Sequence, residues 1–266
     1  MTWDRAARAG AGEYFITAFL GGSTLGAQFI QPSPVPWTGR DGFDEAWRNL
    51  ARASTPGGRA AADTASSLLI GVGLGGQAAA DLIVAGALDR EAPATCSAAW
   101  QMAFMDAQAL GLTGLTQGVV SHGASRERPY GRLCSGEASL PDGSTCAGAD
   151  RYRSFFSGHT SFSFTLAGLV CMHHTLPLYG GGAGDVAACG LALGTAATVG
   201  VLRTVADKHY ATDVLTGAAV GTLFGFGVPL LYYRSPIVPA VSWGGENGGR
   251  ATFVPGPRGG SLLGTF

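Results

Sequence analysis

The chain has 266 residues, of which 13% are charged and 46% hydrophobic, with a formal net charge of -1 and a mean hydropathy of +0.21. A soluble domain usually carries about 25% charged residues, so the composition points towards apolar surroundings, and the near-zero net charge leaves no footprint for nucleic acid. Its 43 glycines suit helices that pack through small residues in lipid, where close backbone approach replaces the hydrophobic drive.

Crossing a bilayer takes roughly 20 mostly apolar residues. Six segments qualify in chain order, at about 14–31, 64–88, 97–120, 157–178, 186–204 and 213–233. The first follows a stretch carrying Asp4, Arg5, Arg8 and Glu13 and has no small-residue cleavage site after it. That predicts an uncleaved transmembrane helix rather than a signal peptide. Between the first two segments, PSPVPW is followed by FDEAWRNLARA, an amphipathic pattern that predicts a short surface helix. The second and third segments contain Asp81 and Asp106. A carboxylate is costly in hydrocarbon, so each is expected to face the bundle interior or a wet cavity.

The fourth and fifth segments are separated by the turn sequence GGGAGD, and the sixth, VLTGAAVGTLFGFGVPLLYY, has no charge. Residues 1–233 therefore read as one membrane domain. Residues 234–266, rich in Gly and Pro, are predicted to be poorly ordered. The arginines of the polar connections (Arg40, Arg48, Arg52, Arg151, Arg153) run against the usual excess of positive charge on cytoplasmic loops.

Five cysteines are present without a metal-type pair. Cys171 and Cys189 lie in apolar runs and read as small buried hydrophobes, and Cys96 is unassigned. Cys134 and Cys146 bracket the loop GEASLPDGSTCAG. They form a disulfide if that loop faces an oxidising compartment, and stay as two thiols otherwise.

Three clusters carry chemistry. His209 and Asp213 are four residues apart, so on a helix they share a face. A carboxylate there can accept a hydrogen bond from one ring nitrogen and leave the other nucleophilic. Arg203 lies just upstream, and Arg128 precedes Pro129; arginine forks match phosphate oxygens. Ser157-Gly158-His159 opens the fourth segment, where a helix N-terminus and a glycine let backbone N–H groups approach an anion. His159 there is placed to protonate a leaving oxygen. Arg126 reads as an interfacial anchor, and His122, His173 and His174 lack catalytic context. With odd and even spans alternating, the three clusters fall at one face of the bundle.

These clusters closely resemble the type 2 phosphatidic acid phosphatase (PAP2) superfamily, which also contains bacterial acid phosphatases and vanadium haloperoxidases. The family pattern is K-x6-R-P, then P-S-G-H, then S-R-x5-H-x3-D. Arg128-Pro129, Ser157-Gly158-His159 and Arg203…His209…Asp213 match it in order across about residues 100–233. Ser121 stands where the family has lysine, Phe156 where it has proline and Leu202 where it has serine. His122 and Arg126 are candidates to compensate for the lysine.

The resemblance implies an all-α, six-helix transmembrane bundle in a bacterial inner membrane, its active site facing the periplasm. It implies hydrolysis of a lipid phosphomonoester or diphosphate through a phosphohistidine at His209. Asp213 would orient His209 and His159 would act as general acid. Arg128, Arg203, Ser157 and Gly158 would hold the phosphate, with no metal, cofactor or protein partner. The alternatives are a weakly active or inactive lipid-phosphate binder, lacking the motif lysine, and a vanadate-dependent haloperoxidase.

Overall fold

The computed structural model describes residues 11–27, 29–31, 33–89, 98–175, 182–232, 241–243, 250–256 and 259–265. Seven α-helices make up the body: α1 (Ala11–Ala27), α2 (Gly42–Ala51), α3 (Pro56–Asp89), α4 (Ala98–Ala124), α5 (Gly158–Thr175), α6 (Ala183–Val205) and α7 (Ala211–Tyr232). Six long helices thus stand where the hydropathy places them, and α2 is the short amphipathic segment. Cys96 and residues 176–178 of the fourth predicted segment lie outside the described residues.

Two of the helices, α6 and α7, are long and apolar enough to cross a membrane by length and composition. Six were expected. Polar residues dilute the others: α5 reads GHTSFSFTLAGLVCMHHT, α4 carries Gln101, Asp106, Gln108 and Thr113, and α1 is only 17 residues long. Much of that polarity is turned inward. Asp106 meets His173 at 2.9 Å, Gln108 accepts from the Tyr232 hydroxyl at 2.8 Å, and Thr113 bonds Thr165 at 2.7 Å. Asp106 therefore faces its neighbours as expected; the side chain of Asp81 lies outside the described set.

The apolar core sits at the end of the bundle away from the motif residues. Met102, Met105 and Ala109 of α4 pack there with Leu169 and Met172 of α5 and Val228 of α7. The other end is polar inside. Ser121, Ser125, Ser154, Ser157 and Thr160 are all fully buried, beside several buried ion pairs.

What sets the register between the two ends is the α5–α7 contact. Gly217, Gly221 and Gly225 repeat every four residues on α7 and face the backbone of α5. A Cβ at Gly217 would lie 2.7 Å from the Ser157 carbonyl oxygen. At Gly221 and Gly225 it would come closer still to the carbonyls of Ser161 and Thr165. Only glycine permits this approach, the small-residue packing seen where helices have no hydrophobic drive to associate. The contact brings the starts of the two helices together, so that the Ser157 N–H donates to the Asp213 carbonyl at 3.0 Å.

Beyond α7 the structure forms a three-stranded antiparallel sheet, β1 (Val241–Trp243), β2 (Arg250–Gly256) and β3 (Gly259–Thr265), ordered β1-β2-β3. Overall composition predicts little order there. The β-prone run Thr252-Phe253-Val254 and the Gly256–Gly259 register supply what an average over Gly and Pro hides.

The cysteines form two disulfides, Cys134–Cys146 and Cys171–Cys189. The second corrects the expectation of two separate buried hydrophobes. It ties α5 to α6, and an apolar context alone cannot show that two helices bring their cysteines face to face.

Replacing Gly221 with alanine should force α7 away from α5. The expected cost is about 1–3 kcal/mol, as for other overpacked sites. A thermal melt in detergent should show a clear drop, whereas Gly227→Ala, with open space around it, should change little.

Candidate active site

The nucleophile candidate sits on a short loop, Ala206–Tyr210, between α6 and α7. Asp207 takes a left-handed backbone conformation there (φ 62°), which Asp tolerates better than most residues. Its buried carboxylate accepts from Arg48 of α2 at 2.6 Å twice and pairs with Arg52 at 2.9 Å. The loop closes back on α6, the N–H groups of Lys208 and His209 donating to the Arg203 carbonyl at 3.1 and 3.3 Å.

His209 is almost wholly buried but reaches the floor of a cleft of about 400 Å³. Its Nδ1 lies 2.8 Å from the Ser154 carbonyl oxygen, which can only accept, so Nδ1 carries the proton. Nε2 is then the nitrogen with a lone pair, and it faces Arg128 Nη1 at 3.2 Å. Asp213 was expected to be the direct partner of the ring. Its Oδ2 is instead 3.8 Å from Nδ1, and the backbone carbonyl of Ser154 intervenes as acceptor.

Asp213 is fully buried and heavily bonded. Arg126 donates to one oxygen at 2.6 Å; the Ser154 hydroxyl and the Tyr210 N–H donate to the other at 2.6 and 2.9 Å. Arg126 is no interfacial anchor. It is 1% exposed, stacked between the rings of Trp37 and Tyr210 at 4.2 and 4.3 Å, and bonded also to Asp44 at 2.6 Å. A position just past a helix end suggests the interface; the folded loop carries the residue inward.

Arg128 lines the cleft. It donates to the Asp150 carbonyl and carboxylate at 2.8 and 3.0 Å and to the Lys208 carbonyl at 3.2 Å. Gly158 and His159, at the start of α5, line it too, with His159 Nε2 at 3.3 Å from the Ser67 hydroxyl of α3. Ser157 does not join them. It is fully buried, and its hydroxyl caps α5 by accepting from the Thr160 N–H at 3.4 Å, and it accepts from Thr160 Oγ1 at 2.9 Å as well.

Arg203 is buried behind the cleft. It pairs with Asp63 and donates to the Ser66 hydroxyl at 3.1 Å, and its Nε has no hydrogen-bond partner among the described residues. His122 bonds the Gly118 carbonyl at 2.6 Å and Ser121 the same oxygen at 3.2 Å, so both are engaged within α4. Neither lines the cleft, nor does Arg126.

Several site residues escape the motif spacing. Arg153, Gln117 and Asp150 line the cleft, and Lys208 pairs with Asp63 at 3.3 Å, sharing that carboxylate with Arg203. Lys208 had a signal, since it immediately precedes His209; Asp63 and Gln117 had none.

Burial and the neighbouring cations Arg128 and Arg203 push the His209 imidazole down to about 4. It is therefore neutral at physiological pH. Burial works the other way on Asp150, but Arg128 and Lys208 hold its carboxyl below the ordinary carboxylate value.

The cleft gathers two histidines and two arginines, a donor set whose chemistry suits an anion. Residues 107–236 match the model of the PAP2 superfamily, which supports membership of that superfamily. Comparison with curated proteins and with solved structures returned no match. The superfamily generally comprises phosphatases, which supports a phosphoric ester hydrolase at that coarse level.

The charged groups facing His209 are Arg128, Arg203, Asp213 and Asp150, and His159 is a further titratable group beside it. Its lowered value predicts an acid limb in kcat/KM near pH 4, below the ordinary histidine range. The nucleophile is protonated and lost only below that point. A pH–rate profile with the limb near 6.5 would contradict this assignment.

Proposed function

We propose that the protein is an integral membrane phosphatase that removes a terminal phosphate from a lipid phosphomonoester or diphosphate through a phosphohistidine. The observation that carries this reading is the state of His209, neutral, with Nδ1 bonded to Ser154 and Nε2 directed at Arg128 in the cleft.

In the first step the Nε2 lone pair attacks phosphorus and the bond to the leaving oxygen breaks. His159 donates a proton to that oxygen. Arg128 draws on its two nitrogens at the cleft, and Arg203 offers its unpartnered Nε, to bind the equatorial oxygens, where charge neutralisation is most of the catalysis. The backbone at Gly158 adds the positive end of α5. Ser157, its hydroxyl committed to Thr160, shapes this turn rather than touching phosphate.

In the second step water attacks phosphorus, His159 takes its proton, and the P–N electrons return to Nε2. Asp213 stabilises the ring while it is cationic, from 3.8 Å away.

A lipid substrate is supported by a second, apolar cleft of about 290 Å³ between α3, α5 and α6, lined by residues including Leu69, Leu166, Val170 and Leu191. It shares Ile70 with the polar cleft, so a chain could lie in one while its phosphate occupies the other.

A membrane setting is supported by the two apolar helices and by α2. The face of α2 turned inward bears Asp44 and Arg48, while Phe43, Trp47 and Leu50 point outward on one stripe. Such a helix suits the headgroup layer.

The rival reading, a lipid-phosphate binder short of the motif lysine at Ser121, is weakened by Lys208. Its ammonium joins Arg203 on Asp63 and returns a cation to the neighbourhood of the site.

Purified protein in detergent should release phosphate from a lipid phosphate panel, and His209→Ala should lower kcat by at least roughly 10³-fold. Acid quenching should trap an acid-labile phosphoenzyme in the parent and none in the variant. If no lipid phosphate is turned over, the proposal fails.

The Cys134–Cys146 bond near the site predicts that the active face lies in an oxidising compartment. Mass spectrometry of protein alkylated before lysis should find these two cysteines blocked by their own bond. Free, alkylated thiols would place that face on the reducing side.

A further inference from the structure

The family match begins at residue 107, yet residues upstream of it hold the catalytic end in place. The most tightly built of these contacts starts at Asp44 on α2. Its carboxylate is fully buried and takes three donors, two of them from one residue. Thr212 gives its backbone N–H at 2.9 Å and its hydroxyl at 2.7 Å, and Arg126 Nη2 donates at 2.6 Å. Thr212 lies in the first turn of α7, so Asp44 supplies from a distance the anionic cap that this helix start would otherwise take from its own sequence.

Arg126 passes the contact on. One of its nitrogens holds Asp44, and the other holds both the Thr212 hydroxyl and Asp213. Trp37 and Tyr210 cover its two faces, which leaves the guanidinium little room to turn. Asp213 in turn receives the Tyr210 N–H and the Ser154 hydroxyl, and Ser154 provides the carbonyl that fixes the tautomer of His209.

Charge makes Asp44 more than a strut. Arg126 alone would neutralise Asp213, leaving a buried pair of no net charge beside the nucleophile. With Asp44 the trio carries two negative charges and one positive. Its net charge of -1 lies where the ring of His209 becomes cationic as it takes phosphate.

We propose that Asp44 is a positioning residue for the reaction, acting through Arg126 and Thr212 to hold Asp213 in place and charged beside His209. The inference rests on the phosphohistidine reading of the site.

The test is Asp44→Asn, which keeps the shape and an acceptor for Thr212 but loses the charge. Turnover of a lipid phosphate in detergent should fall about 10- to 100-fold, the usual consequence of removing an outer partner of a reacting group. KM and inhibition by inorganic phosphate should stay within about two-fold, since the cleft arginines are untouched. In the Arg126→Gln background the same change should add almost nothing, because coupled residues are not additive.

Hydrogen exchange of the Ala206–Thr212 amides gives a readout that needs no turnover, and it should quicken at least about ten-fold in the variant. If Asp44→Asn does not fold, Arg126→Lys keeps the buried cation but reaches only one carboxylate, and it should show the same signature.

Parent protein that turns over substrate beside a variant with unchanged kcat would overturn this inference and leave the phosphatase reading intact. A raised KM with unchanged kcat would also overturn it, by moving Asp44 into binding. Parent protein with no turnover would defeat the phosphatase reading instead, and unchanged exchange in the variant would then overturn the clamp as well.

Discussion

Charge buried at one end of an apolar bundle must be paired, and that requirement organises this molecule. An isolated ion taken from water into such surroundings costs several kcal/mol, and leaving one partner of a buried pair alone costs about 3–5. Arg126, Arg48 and Arg203 are each no more than 7% exposed, and each meets a carboxylate: Asp44 with Asp213, Asp207, and Asp63. These pairs do not run along single helices. They join α2 and α3 to the loop between α6 and α7 and to the segment after α4. The nucleophile loop is thereby fixed from several sides, and its geometry follows from electrostatics that no single helix could provide.

The glycine stripe on α7 sets the helix spacing on which those pairs depend. Bringing α7 against the α5 backbone sets Asp213 beside Ser157, and with it the level of the His209 loop relative to the start of α5. Larger residues at Gly217 or Gly221 would separate the helices, and a displacement of an ångström at their starts is enough to spoil a hydrogen bond. Close packing and buried charge therefore constrain the same few residues from opposite directions. The apolar core around Met102, Met105 and Leu169 adjoins the Gly225 end of the stripe, lies away from the motif residues and serves mainly to hold the bundle together.

The parts of the site legible in sequence are those with a fixed local spacing. His209 and Asp213, four apart, and the Ser-Gly-His turn announce themselves, and the long helices follow from hydropathy. What stayed hidden depends on partners far away in the chain. The acceptor for His209 is a backbone carbonyl, at Ser154, and a carbonyl has no residue type to search for. Arg126 looked like an anchor at a helix end because nothing local shows that Trp37, Asp44 and Asp213 converge on it. Cys171 and Cys189 looked like isolated apolar residues, since helix pairing rather than spacing makes them neighbours. Of the six expected spans, α6 and α7 are the two that length and hydropathy support among the described residues. A hydropathy pattern registers where a helix is, but not whether polar residues such as Asp106 and Thr113 face inward.

On the proposed reading, the pairing of charges also bears on turnover. Arg128 at the cleft and Arg203 behind it are already engaged by Asp150 and Asp63, and Lys208 shares Asp63. A pocket of unpaired cations would hold a phosphate dianion tightly and release product slowly. Here each arginine that turns to phosphate gives up or shares a carboxylate it already has, so the gain on binding is only the difference between two ion pairs. Asp150 is more than half exposed and costs little to release, whereas Asp63 is less exposed and is held by both Arg203 and Lys208. The two arginines are thus unequal. Arg128 is the easier to redirect towards an incoming phosphate, and Arg203 contributes through the Nε that Asp63 leaves unused. Such an arrangement favours the transition state, whose charge is spread over three oxygens, over a ground state that one strong clamp would trap.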